Sequence, residues 1–186
     1  MAVVAITGDI GAGKSTVAKL LAEKFRCPLL DADAITAELW RNDENIKALA
    51  VLRWGAGILD TSGNIIKSEI SRRIFFDPDE YKFCNAILHP VIMRELGVRS
   101  ERLGVRDLVI EIPLIFEVGR PEFVDEVVYV AADFETRARR CNLQRGWDVG
   151  ELRRRESFLM PREEKISLSD RVIINDGTLE DLKRNV

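Results

Sequence analysis

Residues 8–15 read Gly8-Asp9-Ile10-Gly11-Ala12-Gly13-Lys14-Ser15, which is the spacing G-x-x-x-x-G-K-S. Each residue type in this octet suits the handling of a polyphosphate. The glycines let the backbone turn tightly and aim several N–H groups inward, and the helix that follows adds its positive dipole end. Lys14 has the reach for β- and γ-phosphates, and the Ser15 hydroxyl is a hard oxygen donor of the kind that holds Mg²⁺. The octet is preceded by the β-branched run Val3-Val4-Ala5-Ile6-Thr7. It is followed from Thr16 to Phe25 by a helical pattern with Val17, Leu20, Leu21 and Phe25 on one face. Strand, glycine loop and helix in that order turn the spelling into a phosphate-binding device. The expectation is a nucleoside triphosphate site.

Phosphoryl transfer to a hydroxyl also needs a carboxylate to orient that hydroxyl and take its proton, and cations on the spreading phosphoryl charge. Asp31 and Asp33 follow the short apolar run Cys27-Pro28-Leu29-Leu30. On a continuing strand they would point to opposite sides, so one of them would face the phosphates directly; the competing reading is that both cap the next helix. Between Arg137 and Arg155 lie seven arginines in nineteen residues, against Asp148 and Glu151. A run of this kind is often a solvated helix face, but in a phosphate-binding chain it also fits a lid that closes over the triphosphate. His89, the only histidine, precedes Pro90 on an apolar helix, a setting more often of a packed hydrogen-bonding residue than of a catalyst.

These residues need a scaffold, and strand-like runs alternate with helical ones as in an α/β fold around a parallel sheet. The expected strands are 3–7, 27–30, 107–112, 124–131 and 171–174, flanked by helices, and a final helix begins at Thr178. From Ile35 to about Gly104 the pattern is helical throughout, broken at Gly55, Gly57, Asp60-Thr61-Ser62-Gly63 and Asp77-Pro78. The predicted arrangement is one domain: a core of 1–34, 105–134 and 169–186, a helical substrate-binding insertion at about 35–104, and a basic helical lid at about 135–168. In an open parallel sheet, ligands sit beyond the carboxyl ends of the strands. That rule gathers Asp31/Asp33, Glu111 to Glu117 and Asn175-Asp176-Gly177 near the loop.

Composition sets the bounds. The 186 residues, 46% hydrophobic and 32% charged, suit one globular domain with a sizeable core. The net charge of −3 implies no general attraction to nucleic acid or to an anionic membrane. No apolar run reaches the length of a membrane span, and the N-terminus carries no signal-like segment. Cys27, Cys84 and Cys141 are odd in number and far apart, as expected of reduced thiols in a cytoplasmic protein, not of a disulfide frame.

Taken together, the motifs resemble those of the dephospho-CoA kinase family, P-loop small-molecule kinases, over nearly the whole chain. The resemblance is carried by Ile6-Thr7-Gly8 with the loop, Asp31-Ala32-Asp33, Arg73-Ile74-Phe75, Leu88-His89-Pro90, Pro113-Leu114-Ile115-Phe116-Glu117, the arginine-bearing lid, and Asp170 to Gly177. It implies ATP-dependent phosphorylation of the ribose 3′-hydroxyl of dephospho-CoA, giving coenzyme A and ADP, with Mg²⁺ held by Ser15. By the same resemblance, Asp33 is the base, Lys14 and Arg140 stabilise the transferred phosphoryl group, Gly11, Ala12, Gly13, Lys14, Ser15 and Thr16 wrap the ATP phosphates, and Asn175 and Gly177 lie where adenine packs. His89 with Pro113, Leu114 and Glu117 would form the coenzyme A site. The implied partners are small molecules only, in a monomer or small homo-oligomer. Some positions depart from the family pattern. Asp9 replaces a usual glycine and sets a carboxylate beside the phosphate loop, a burden on ATP binding unless it turns outward. Lys67 stands for an arginine, Leu159 for a glutamine, Arg140 and Arg145 are spaced one residue wider, and the chain stops at Val186, short of the family's last helix end.

The residues alone leave the acceptor open, so a nucleoside or nucleotide kinase of the same fold, or a relative that binds nucleotide without catalysis, remain alternatives. A regulatory GTPase fits poorly. Asp60 to Gly63 spells D-x-x-G inside the helical region, and no N-K-x-D motif occurs in the chain.

Overall fold

The structure, a computed structural model, describes residues 2–186. A five-stranded, all-parallel sheet has the order β2-β3-β1-β4-β5. The strands are β1 (Val3–Gly8), β2 (Leu29–Asp31), β3 (Leu108–Glu111), β4 (Glu126–Ala131) and β5 (Arg171–Ile174). β1 is central, with Ile6 opposite Glu111 on one side and Val128 on the other. A parallel sheet covered on both faces needs near-continuous apolar strands. β3 meets this with Leu108, Val109 and Ile110, and β4 with Val127 to Ala131, all buried. Helix α1 (Lys14–Phe25) lays Val17, Ala18 and Leu21 on the sheet, against Val4, Ile6, Val109 and Val130.

The chain folds as two compact units. One comprises 2–32 and 97–186 and carries the sheet; the other comprises 33–96. The second unit is helical: α2 (Ala32–Asn42, all but its first residue), α3 (Glu44–Trp54), a 3₁₀ turn at Ala56–Ile58, α4 (Lys67–Ile74) and most of α5 (Pro78–Leu103). Asp43 caps α3 by accepting from the Asn45 and Ile46 N–H groups. Within this unit Glu80 binds Arg53 through both carboxylate oxygens, at 2.8 and 3.1 Å, and accepts from Trp54 Nε1 at 2.6 Å. Hydrogen bonds from Arg53 hold the Glu80 carboxyl below its usual range. The D-x-x-G string is a local turn: Asp60 Oδ1 accepts the N–H groups of Ser62 and Asn64, and Gly63 sits at φ 79°. That is the work of a turn aspartate.

In the sheet unit β3 leads to the short α6 (Ile115–Val118). After β4 come α7 (Phe134–Arg145), α8 (Val149–Glu156) and α9 (Arg162–Ser167), and after β5 comes α10 (Leu179–Asn185). The stretch from Phe134 to Arg155, read from sequence as one helical run, is two helices. Gly146 at φ 68° ends the first, and Asp148 caps the second by accepting from Glu151 N. β2 lies slightly later than expected, over Leu29–Asp31, and α1 opens at Lys14 itself. Thr178 and Asp181 close a reciprocal capping box on α10.

Candidate active site

The loop between β1 and α1 is shaped by what surrounds it. Gly8, at φ 142°, lies against β4, where an added Cβ would come within 2.1 Å of the Val130 carbonyl oxygen. Gly13, at φ 89°, is the N-cap of α1, and a Cβ there would meet Asn175 Nδ2 at 2.6 Å. No side chain caps that helix end. A helix start reached through glycines and without a side-chain cap is the arrangement that suits a phosphate. Lys14 Nζ donates to the Gly8 and Asp9 carbonyls at 3.3 and 3.0 Å, folded back over the loop it would serve.

Three side chains from distant parts of the chain brace this loop. Asn175 is buried after β5, and its Nδ2 donates to the Ala12 carbonyl at 2.7 Å while its own N–H pairs with Ala131 O. Arg140, on α7, donates to Asn175 O at 2.9 Å and reaches Ala12 O at 3.4 Å. Ser15 Oγ donates to Glu111 Oε1 at 3.1 Å, and Glu111, at the end of β3, is 4% exposed and paired in register with Asp31 of β2. A serine hydroxyl beside a buried carboxylate is an all-oxygen donor pair, the chemistry Mg²⁺ prefers. Among the described residues no group of three or more His, Cys, Asp and Glu could hold a metal.

Asp9 does not turn outward. Its carboxylate is buried and accepts from the Tyr129 hydroxyl at 2.5 Å, from Arg162 Nε at 3.1 Å and from Ala132 N at 3.4 Å, with Arg137 Nε at 3.8 Å. Burial, and then the Asp9 carboxylate, push the Tyr129 hydroxyl far above the usual tyrosine range, which keeps it protonated as a donor. Burial lowers Arg162, but Asp9, with Tyr129 and Glu163 behind it, leaves the guanidinium above its ordinary value. Sequence reasoning missed Tyr129 and Arg162. A tyrosine within an apolar strand was the available signal, because a buried phenol needs a polar partner.

The arginine-rich segment divides by partner. Arg137 is 6% exposed; it donates to the Ala132 and Ile10 carbonyls and pairs with Glu156. Arg153 stacks on Phe134 at 5.1 Å, and Arg145 and Arg155 both stack on Trp147, at 4.8 and 4.0 Å. Burial, and behind it the charges of Arg145 and Arg154, pull Arg155 down to about 10.

Pro113 and Leu114 follow β3 at the same sheet end, where Thr7 Oγ1 donates to the Pro113 carbonyl at 3.0 Å. Glu117 Oε1 is held by Lys165 Nζ at 2.6 Å and accepts from Met160 N at 3.1 Å, so its carboxylate ties α6 to α9. Gly177 lies next to the α10 cap, where a Cβ would meet Asp181 Oδ2 at 2.8 Å. Of the remaining predicted site residues, Asp33 is exposed in the first turn of α2, where a carboxylate suits the helix dipole, and His89 is half-buried on α5 just before Pro90. Both belong to the helical unit. Leu159, Lys67 and Val186 take no part in the loop's contacts described above.

Comparison with known proteins agrees across the chain. The family model for dephospho-CoA kinase matches residues 2–181. A dephospho-CoA kinase of Geobacillus kaustophilus is 34% identical over 98% of this chain and 92% of its own, and one of Thermus thermophilus is 38% identical over 98% and 87%. A crystal structure from Thermus thermophilus superposes with a TM-score of 0.80 at 36% identity, covering 98% of this chain and 93% of that one. A shikimate kinase from Bacteroides thetaiotaomicron, at 15% identity and a TM-score of 0.52, shares the fold. With a family match spanning nearly every residue, this chain belongs to the dephospho-CoA kinase family.

Proposed function

We propose that the chain transfers the γ-phosphoryl group of ATP to the ribose 3′-hydroxyl of dephospho-CoA, forming coenzyme A and ADP. Membership of the kinase family supports the reaction. The observation that carries the chemistry is the loop itself: an α1 N-terminus with no side-chain cap, Lys14 folded over it, and Arg140 and Asn175 anchored on the Ala12 carbonyl. In this reading the loop N–H groups and Lys14 bind the β- and γ-phosphates, and Lys14 follows the charge that develops as the phosphoryl group leaves. Arg140 sits beside the loop and adds a second cation. Asn175 and Gly177 lie on the adenine side.

Ser15 and Glu111 would hold Mg²⁺, directly or through water, and the ion would supply charge neutralisation to the nucleotide's phosphates. Asp33 orients the acceptor hydroxyl and takes its proton. His89, Pro113, Leu114 and Glu117 belong to acceptor recognition, with Glu117 held in place by Lys165. We further read the chain as a cytoplasmic enzyme. In agreement, no helix among the described residues is long and apolar enough to cross a membrane.

The acceptor is tested by ADP release with Mg·ATP across dephospho-CoA, adenosine, other nucleosides and nucleoside monophosphates. Turnover with dephospho-CoA alone is expected; turnover only with a nucleoside or nucleotide would overturn the assignment. Asp33→Asn is expected to lower kcat by about 10²-fold, the scale of a lost general base, with ADP affinity little changed. Near-normal kcat would move the base role to Asp31.

A further inference from the structure

A buried carboxylate inside a loop built to receive a polyanion is a liability. The Asp9 side chain is 5% exposed, and its main chain belongs to the phosphate cradle: its carbonyl accepts from Lys14 Nζ at 3.0 Å and from Ala12 N at 3.2 Å. Unneutralised, the Asp9 charge would repel every phosphate the loop is meant to bind, at short range and with little screening by solvent. Two guanidinium groups face it, and they are not equivalent. Arg137 is shared, since its Nη1 pairs with Glu156 and its Nε donates to the Ala132 carbonyl. Arg162 instead directs its Nε at Asp9 Oδ2, at 3.1 Å, from α9, a helix separated from the loop by 153 residues of chain. Tyr129 and Ala132 N complete the grip from the β4 side.

We propose that Arg162 is a positioning residue of the nucleotide site: it neutralises Asp9 and holds the carboxylate turned away from the phosphates, so that the loop can bind a polyanion. Arg162 acts through Asp9 and not on the nucleotide. Because α9 also carries Lys165, which is anchored on Glu117, the same short helix is tied both to the phosphate loop and to α6. The inference rests on the reading of residues 8–15 as a nucleotide site.

The two residues separate in a double-mutant cycle read by calorimetric ADP affinity, alongside KM for ATP and kcat. The Arg162 side chain is 42% exposed, so its replacement leaves no buried hole. Arg162→Gln is expected to weaken ADP by about ten-fold and to raise KM for ATP more than it lowers kcat, as an uncompensated charge beside the phosphates requires. Arg162→Lys, which keeps the charge, is expected within about three-fold of wild type. The decisive variant is the double, Asp9→Asn with Arg162→Gln. Removing the charge that Arg162 compensates should restore ADP affinity to within about three-fold of wild type. If that double fails to fold, Asp9→Ser with Arg162→Gln makes the same comparison. An Arg162→Gln enzyme that binds ADP normally would overturn the proposal. So would a double variant as weak as Arg162→Gln, since Arg162 would then be acting on the nucleotide itself. Failure of the wild-type protein to bind ADP at all would instead strike the nucleotide reading on which both rest.

Discussion

The phosphate loop and the arginine-rich segment after β4 both belong to the proposed nucleotide site, yet they are built in opposite ways. The loop is fixed by main chain: glycines at positive φ, carbonyls that hold Lys14, and a helix start with no side-chain cap. Its chemistry follows from backbone direction, and few side chains need to be placed. The segment from Arg137 to Arg155 is fixed by side chains, and its arginines have diverged in role although they are alike in type. Arg137 is an internal brace, Arg153 a surface stack, and Arg140 a group at the loop itself. The lesson is that charge density alone does not rank the arginines of one segment. Only the partner of each guanidinium does that.

The contrast breaks first at Lys14. Lys14→Ala is expected to cut turnover by about 10³-fold, in the range of losing a preorganised transition-state contact, while the melting temperature moves by about 2 °C or less. A collapse in melting temperature with turnover preserved would make Lys14 part of the scaffold. The next test compares two arginines three residues apart on α7. Arg140→Met should lower turnover by about 10-fold to 10²-fold with a small change in stability. Arg137→Met should do the reverse. It removes the buried cation that pairs with Glu156 and donates to the Ala132 carbonyl, while Arg162 stays on Asp9. The loss costs about 3 kcal/mol and roughly 10 °C of melting temperature, with a smaller loss of kcat in the protein that remains folded. If both variants lost turnover equally and neither lost stability, the segment would act by total charge and the distinction would fail. The smallest effect is expected at Arg153. Its stack on Phe134 is exposed, so Arg153→Ala should change turnover by less than about two-fold and cost about 0.5 kcal/mol, measured by denaturant unfolding.

How much was legible beforehand follows the same division. The parallel sheet, the strand–loop–helix succession at the phosphate loop and the helical stretch after Asp33 could be read because their signals are local: β-branched runs, glycine spacing and helical periodicity. The break at Gly146 in the basic run was present as a glycine but was overridden by the surrounding helical pattern. What could not be read were pairings across the chain. Asn175 reaches Ala12 from 163 residues away, and Tyr129 reaches Asp9 from 120. No periodicity encodes such contacts. Asp9 illustrates the point best: as a residue type it looked like a cost to phosphate binding, and only its long-range partners show the carboxylate taken up inside the fold. Lys165 carried no local signal at all, being one cation in a polar stretch until Glu117 is found beside it.

The most direct test of the account is to identify the product. The wild-type protein, given Mg·ATP and dephospho-CoA, should yield one ADP for each new phosphomonoester. Phosphorus NMR with mass spectrometry should place that phosphate on the ribose 3′-oxygen, and the Lys14→Ala protein should form essentially none of it. A phosphate at another position, ADP release without a phosphorylated acceptor, or product formed as fast without the Lys14 ammonium would contradict the account.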